Sequence, residues 1–183
     1  MLFPLAILTL LFLPICGFFL FLFDSFFGKE DFSTSRLVVE QVIKIIQHRH
    51  LENARLYDLG SCRGNFAVKI ARVFPEMKIV GIDDSWLRTL LAKTRGFFLK
   101  NVSFTKADIF SSDISSAEII FIYLPQEIMP DLQTKLKKEL KFGTLIIANR
   151  VTFPDWQPVE TYTIGETDER RGSLGKIFVY QIV

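Results

Sequence analysis

The chain has 183 residues, 49% of them hydrophobic, and a net charge of +2 at pH 7. That length fits one domain with little left for a second. The charge is too small to argue for a nucleic-acid partner, and no predicted helix carries a basic stripe with interleaved aromatics. Two cysteines far apart, Cys16 and Cys62, give no disulfide framework and make a reducing compartment the default.

The N-terminus accounts for much of the high phenylalanine content. Leu2 to Phe23 contains no charged residue, and Thr9 is its one weakly polar side chain. About 22 residues rising roughly 1.5 Å each can cross a hydrocarbon core of ~30 Å. A cleaved signal peptide fits poorly, because no Lys or Arg precedes the run, the run is too long and no small-x-small site follows. Cys16 is a poor lipoprotein site, since Ile15 precedes it and further apolar residues follow Gly17. Pro4 and Pro14 leave a buried hairpin-like core helix as the rival. The expectation is a single-pass anchor over residues 2–23, a linker over 24–34 and a domain over 35–183. Lys29 and Arg36 follow the run and no basic residue precedes it, which places the domain on the cytoplasmic side.

In chain order, Ser33, Thr34 and Ser35 offer N-caps for a helix to about His50, with Val38, Val39, Val42, Ile43, Ile45 and Ile46 as its apolar side. His48 and His50 lie two apart, share no face and predict no metal site. Arg55 to Leu59 reads as a short buried strand ending near Asp58. Gly60 and Gly64 mark a tight turn, and Phe66, Val68, Ile70, Ala71 and Val73 give the next helix its apolar pattern. Lys78 to Asp83 is a second strand, and Ser85 caps a helix from Trp86 to about Leu99. Val102 to Lys106 is a third strand, followed by Ala107-Asp108-Ile109-Phe110. Glu118 to Leu124 is a fourth, apolar on both faces as a central parallel strand must be, and Pro125 ends it. Asp131 to Leu140 reads as a helix whose Lys135, Lys137 and Lys138, with Lys141 beyond, form a solvated side. Gly143 stops it before a fifth strand, Thr144 to Asn149. Val159 to Ile164 and Lys176 to Val183 read as a β-hairpin with a long polar loop. Strands alternating with helices and closed by an antiparallel pair make an α/β sheet.

Open α/β sheets bind ligands beyond the carboxyl ends of their strands, and Asp58, Asp83 and Asp108 fall at three such ends. A carboxylate at the second can take both hydroxyls of a ribose, and Asp108 beside Ile109 and Phe110 suits an adenine edge. A pyrophosphate wants Gly-x-Gly-x-x-Gly with no acid before it, so Asp58 would repel a dinucleotide. The same acid attracts a cationic α-amino group, while the helix N-terminus beyond Gly64 suits a carboxylate. An amino-acid end, a ribose and an adenine together describe S-adenosylmethionine.

With these residues in view, roughly Leu37 to Val183 resembles the class I methyltransferases. That likeness implies a Rossmann-like sheet of seven strands with the last pair antiparallel. Three blocks narrow it: Asp83-Asp-Ser-Trp-Leu87, Tyr123-Leu-Pro125 with Met129, and Lys138-Glu-Leu-Lys-Phe-Gly143 followed by Phe153-Pro-Asp-Trp156. They resemble the membrane-anchored protein-lysine methyltransferases known from mitochondria and their prokaryotic relatives. The resemblance implies methyl transfer to lysines of membrane proteins. The expected cofactor residues are Asp58, Gly60, Ser61, Gly64, Asp83, Asp84, Asp108 and Ile109. Tyr123 and Pro125 are the expected amine-orienting residues, with Asn149 and Trp156 as further substrate-side candidates.

Departures from the family pattern carry equal information. The loop reads Gly60-Ser-Cys-Arg-Gly-Asn65, where the family usually has Gly-Ser-Gly-Asp-Gly-Arg. A non-glycine forced to positive φ would cost roughly 1–2 kcal/mol, whereas ordinary helix-entry angles would cost Cys62 little. Arg63 either pairs with the methionine carboxylate or faces water. Two alternatives stay open: a methyltransferase acting on a lipid-like small molecule, and a methyltransferase-like binding module degraded at Cys62.

Overall fold

The computed structural model describes residues 12, 14–19, 34–165 and 175–183. The chain divides into two units, Met1–Asp31 and Phe32–Val183. In the first, residues 14–19 are helical. The rest of the expected anchor, and nearly all of the linker, lies outside the described residues. Among the described residues no helix is long and apolar enough to cross a membrane.

The second unit opens with helix α1 (Arg36–His48), whose N-cap Ser35 accepts the Val38 N–H through its hydroxyl. The helix stops short of the expected His50 for a local reason. His50 takes the left-handed conformation (φ 55°), its N–H reaches the Gln47 carbonyl and the Leu51 N–H reaches the Ile46 carbonyl. That pair of bonds is a Schellman C-cap with a histidine in the position glycine usually fills.

Strand β1 (Arg55–Leu59), helix α2 (Asn65–Val73), strand β2 (Lys78–Asp83), helix α3 (Trp86–Gly96) and strand β3 (Val102–Lys106) follow. Ser85 caps α3 as expected, accepting the Arg88 N–H, although α3 ends at Gly96 rather than near Leu99. No helix joins β3 to β4 (Ile119–Ile122). The intervening Asp/Ser-rich stretch is held in turns, with Asp108 Oδ1 accepting the Phe110 N–H and Asp113 Oδ1 the Ser115 N–H; such side chains compete with helix hydrogen bonding. After a 3-10 turn at Gln126–Ile128 come helix α4 (Met129–Glu139) and strands β5 (Leu145–Asn149), β6 (Glu160–Ile164) and β7 (Gly175–Gln181). Most of the polar hairpin loop lies outside the described residues.

One sheet of seven strands results, in the order β3-β2-β1-β4-β5-β7-β6. β1 to β5 are mutually parallel, and β7 runs antiparallel to both β5 and β6. The seven-stranded α/β sheet with its last pair antiparallel, as read from the sequence, is found; the transmembrane helix expected before it is not among the described helices. Strand order reverses between β1 and β4, so the ligand-binding crevice of an open α/β sheet lies above those two strands.

Each sheet face has its own core. Val42, Ile46, Leu56, Ile70, Phe121 and Ile147 pack together on the face covered by α1 and α2. Leu59, Ile122, Met129, Leu132, Leu136 and Ile146 form the core of the other. Lys135 departs from the expected solvated side of α4: it is buried, and its Nζ donates to the Ser112 carbonyl at 2.7 Å and to Glu139 Oε1 at 2.6 Å. The lysine thereby fastens the β3–β4 connection to α4, in place of the missing crossover helix.

Candidate active site

Alternation along β1 aims Asp58 to the same face as Leu56, between Gly81 of β2 and Phe121 of β4. Phe66 of α2 stacks on Phe121 with ring centroids 3.7 Å apart, which keeps water from this part of the sheet. Asp58 is 3% exposed. The Ala67 N–H reaches its carboxyl, yet Oδ2 is buried without any hydrogen-bond partner. Burial first, then the Asp83 charge, pushes its pKa up to about 8, against the lowering effect of the Ala67 N–H. A carboxyl left this way is primed for a cation.

The turn beyond Asp58 is locked to the end of β2. The Gly60 and Ser61 N–H groups both donate to the Ile82 carbonyl at 2.9 Å, and the Gly64 N–H to the Ser61 carbonyl at 2.8 Å. Gly60 has φ 76°, and a Cβ there would lie 2.4 Å from Leu124 Cδ2, so the turn presses against the segment leaving β4. Gly64 has φ 72° and leaves no room either: a Cβ would lie 2.7 Å from Phe104 Cζ. Cys62 is left-handed too, with φ 48°. Of the two conformations open at the sequence level, the structure adopts the costly one. Gly64 caps α2 with no side-chain bond, so the helix opens directly on the turn.

Asp83 is buried, and both its oxygens are engaged: Oδ2 accepts the Cys62 N–H and Oδ1 the Ser85 N–H, each at 2.9 Å. Arg88 of α3, itself buried, stands 3.9 Å from Oδ1. Burial raises the Asp83 pKa in spite of the Ser85, Arg88 and Cys62 contributions. The expected ribose acid is thus also the bracket that joins the two turns; each oxygen keeps a second lone pair for a ligand. Asp84 beside it is exposed.

Asp108, past the end of β3, is exposed and organises its own turn, its carbonyl accepting the Ser111 and Ser112 N–H groups. Ile109 is half-buried against the α4-side core. Strand order β3-β2-β1 therefore puts Asp108, Asp83 and Asp58 on three adjacent strand ends. At about 4.8 Å per strand the row spans roughly 10 Å, the scale of a nucleoside joined to an amino acid.

Past β4, Tyr123 is half-buried against the core on the Asp58 face. Leu124 packs on the opposite face, and Pro125 leads into the 3-10 turn. The Gln126 side-chain amide clips the segment after β5, donating to the Thr152 carbonyl at 2.7 Å and accepting the Thr152 N–H at 3.0 Å. Asn149 ends β5 fully buried, with Oδ1 lacking a partner. Trp156 is placed differently: it packs with Phe153 and Tyr180 in the α4-side core, away from Tyr123. Sequence reading missed Arg88 and Gln126. An arginine three residues after a cap, on the buried side of an amphipathic helix, was the available signal for Arg88; nothing local marks Gln126.

Residues 58–160, more than half of the chain, match the ANTKMT methyltransferase domain. The chain belongs to that family. It is 30% identical over 112 residues to a protein-lysine N-methyltransferase of Saccharolobus islandicus, covering 60% of this chain and 70% of that one. It is 32% identical over 139 residues to a Rattus norvegicus lysine N-methyltransferase of an ATP synthase subunit, covering 73% of this chain and 60% of that one. The chain thus spans less than two thirds of the rat relative's length. The fold matches an RNA methyltransferase from Salinibacter ruber, solved with S-adenosyl-L-homocysteine. That match has a TM-score of 0.70 and 24% identity, over 82% of this chain and 93% of that one.

The chain is accordingly an S-adenosylmethionine-dependent methyltransferase of the ANTKMT family. Its own residues fit the cofactor. With that cofactor bound, the partnerless Asp58 Oδ2 would face its ammonium, the start of α2 its carboxylate, and the Asp83 and Asp108 strand ends its nucleoside.

Proposed function

We propose that the protein is a membrane-anchored protein-lysine N-methyltransferase, its domain on the cytoplasmic side, acting on lysine side chains of membrane proteins. The observation that carries this reading is the extent of the family match. Residues 58–160 take in both the partnerless carboxyl of Asp58 and the acceptor side around Tyr123. Both the archaeal and the rat relative are lysine N-methyltransferases.

Bound S-adenosylmethionine supplies an electrophilic methyl on a sulfonium. The protein's part is to desolvate and orient the amine so that it gives up its proton. A lysine with pKa near 10.4 must lose a proton, which at pH 7 costs roughly 4.6 kcal/mol at about 1.36 per unit. A partly apolar site beside a cationic sulfonium lowers that pKa, so the proton can leave to water without a dedicated base. Tyr123 and the Leu124–Pro125 backbone line the place where the amine would be held, and the Tyr123 ring offers cation–π attraction to an ammonium.

Anchoring is supported by the uncharged run from Leu2 to Phe23 and by the way the chain enters the domain. Arg49 pairs with Glu160 at the start of β6, and a Cβ on Gly165, just past its end, would lie 3.5 Å from Leu37. α1 therefore runs antiparallel to β6, and its N-terminus lies at the carboxyl edge of the sheet, the edge that carries the site.

The test is to incubate membranes containing the full chain with methyl-labelled S-adenosylmethionine and hydrolyse the labelled protein. Label recovered as N-methyllysine supports the reading. Label that extracts only into organic solvent would establish the lipid-like acceptor instead, and label in neither fraction would leave a binding module.

A further inference from the structure

β5 is buried along its whole length, and every residue in it but the last is apolar. Alternation puts Asn149 on the face of Leu145 and Ile147, the face that also holds Asp58 and Tyr123. Ile147 pairs with Phe121 and Ala148 with Ile122, so continuing that register by one residue sets Asn149 beside Tyr123. The side chain is 2% exposed, and its Oδ1 has no hydrogen-bond partner. A polar atom buried and unsatisfied in this way is uncommon in folded proteins and calls for an explanation.

The surrounding backbone is held to keep it there. Arg150 is left-handed (φ 63°), and its N–H donates to the Lys176 carbonyl at 2.8 Å. Two residues on, Gln126 clips Thr152 through both of its amide atoms. Strain in a non-glycine residue at a strand end is a feature of functional sites.

We propose that Asn149 Oδ1 is the hydrogen-bond acceptor for the substrate amine. The inference rests on the lysine reading above. Oδ1 takes one N–H of the ε-amine, which turns the nitrogen lone pair away from β5 and toward the cofactor side above β1 and β4. A neutral amide suits this role better than a carboxylate. A carboxylate would stabilise the ammonium and hold the amine in its unreactive form, whereas an amide oxygen orients either form without adding charge. Tyr123 next to it presents a ring along the carbon stem of the side chain.

The test uses the full chain in detergent micelles, 15N-labelled and saturated with S-adenosylhomocysteine, titrated with n-butylamine as a mimic of the lysine side chain. The Asn149 side-chain amide resonances, assigned through bonds, are expected to shift saturably. Resonances that stay fixed while butylamine is raised would overturn the proposal. Two variants separate contact from structure. Asn149→Leu is expected to weaken butylamine binding at least fivefold and Asn149→Asp to tighten it, with S-adenosylhomocysteine affinity within twofold of wild type in both. Variants that lose thermal stability or S-adenosylhomocysteine affinity but keep butylamine binding would make Asn149 a packing residue and end the inference. Lysine labelling in membranes is scored separately, so the wider reading can stand if this one falls.

Discussion

Asp83 Oδ2 accepts the backbone N–H of Cys62 at 2.9 Å, so the carboxylate at the end of β2 holds the left-handed non-glycine residue of the turn after β1. The bond is made by backbone, and it survives any side chain at position 62. Left-handed geometry costs a non-glycine residue about 1–2 kcal/mol, partly offset because glycine has more conformational freedom to lose on folding. Cys62→Gly is therefore expected to stabilise the protein by up to about 1 kcal/mol, or ~2–4 °C at this size. S-adenosylmethionine affinity should be unchanged or tighter by isothermal titration. A clear loss of affinity would show a role for the thiol.

Replacing the bracket itself has the opposite effect. In Asp83→Asn one of the two N–H groups, from Cys62 or Ser85, faces an amide NH2 instead of an oxygen. An unmatched buried donor costs about 1–3 kcal/mol, so thermal unfolding should fall by several degrees. Cofactor affinity should fall with it, because the carboxylate that braces the turn is also the one expected to take the ribose hydroxyls. Unchanged affinity in a folded Asp83→Asn would separate the bracket from the ligand site.

Gly64 and Gly143, two of the left-handed glycines, have opposite surroundings and predict different costs. At Gly64 an added methyl meets Phe104 Cζ at 2.7 Å and Ala92 Cβ at 2.9 Å, whereas at Gly143 (φ 87°) nothing lies within 4 Å. Gly143→Ala should cost only the backbone strain, about 1–2 kcal/mol. Gly64→Ala adds overpacking of about 1–3 kcal/mol and shifts the start of α2. Chemical denaturation should rank Gly64→Ala as the more damaging, with S-adenosylmethionine binding weakened only by that variant.

Asp58 gives the protein a pH signature. Its pKa in the free protein is pushed up to about 8 from an unfolded value near 3.8. The unfolded chain thus loses this proton first as pH rises. The stabilising contribution is complete below about pH 4 and disappears as pH climbs through about 8; Asp83, also raised, acts in the same direction. A bound ammonium reverses the preference and favours the carboxylate. Binding therefore releases a proton, and affinity should rise by up to tenfold per pH unit below about 8. It should level off above about 8, where Asp58 is already ionised before the ligand arrives. Unfolding scans from pH 5.5 to 7.5 with and without S-adenosylhomocysteine should show a ligand-induced gain that widens with pH; a constant gain would mean that Asp58 does not meet the ammonium.

The sheet and its acids were legible because their signals are local and redundant. Ile119 to Ile122, a short all-apolar run ended by Pro125, reads as a central strand, and Ser85 before an apolar-periodic run reads as a cap. Three carboxylates at three strand ends, with Gly60, Gly64 and the helix start beyond them, narrowed the ligand. What escaped depends on pairing across the chain. Lys135 looked solvated because its partners, the Ser112 carbonyl and Glu139, matter only once the β3–β4 connection lies on α4. Cys62 was ambiguous because its φ is set by Asp83, 21 residues away. Trp156 lies in a motif block, but its aromatic neighbour Tyr180 arrives only with β7, on the far face. The end of α1 at His48 turned on His50 taking the conformation that glycine usually fills, which the apolar periodicity of the helix does not mark.

The claim on which the rest depends is that the unit from Asp58 to Gly64 is the S-adenosylmethionine site. Isothermal titration of the full chain in detergent at pH 7.5, wild type beside Asp58→Ala, tests it directly. We expect single-site binding in the wild type and at least a tenfold weaker Kd in a variant that remains folded by circular dichroism. Equal affinity in the two proteins would contradict the account.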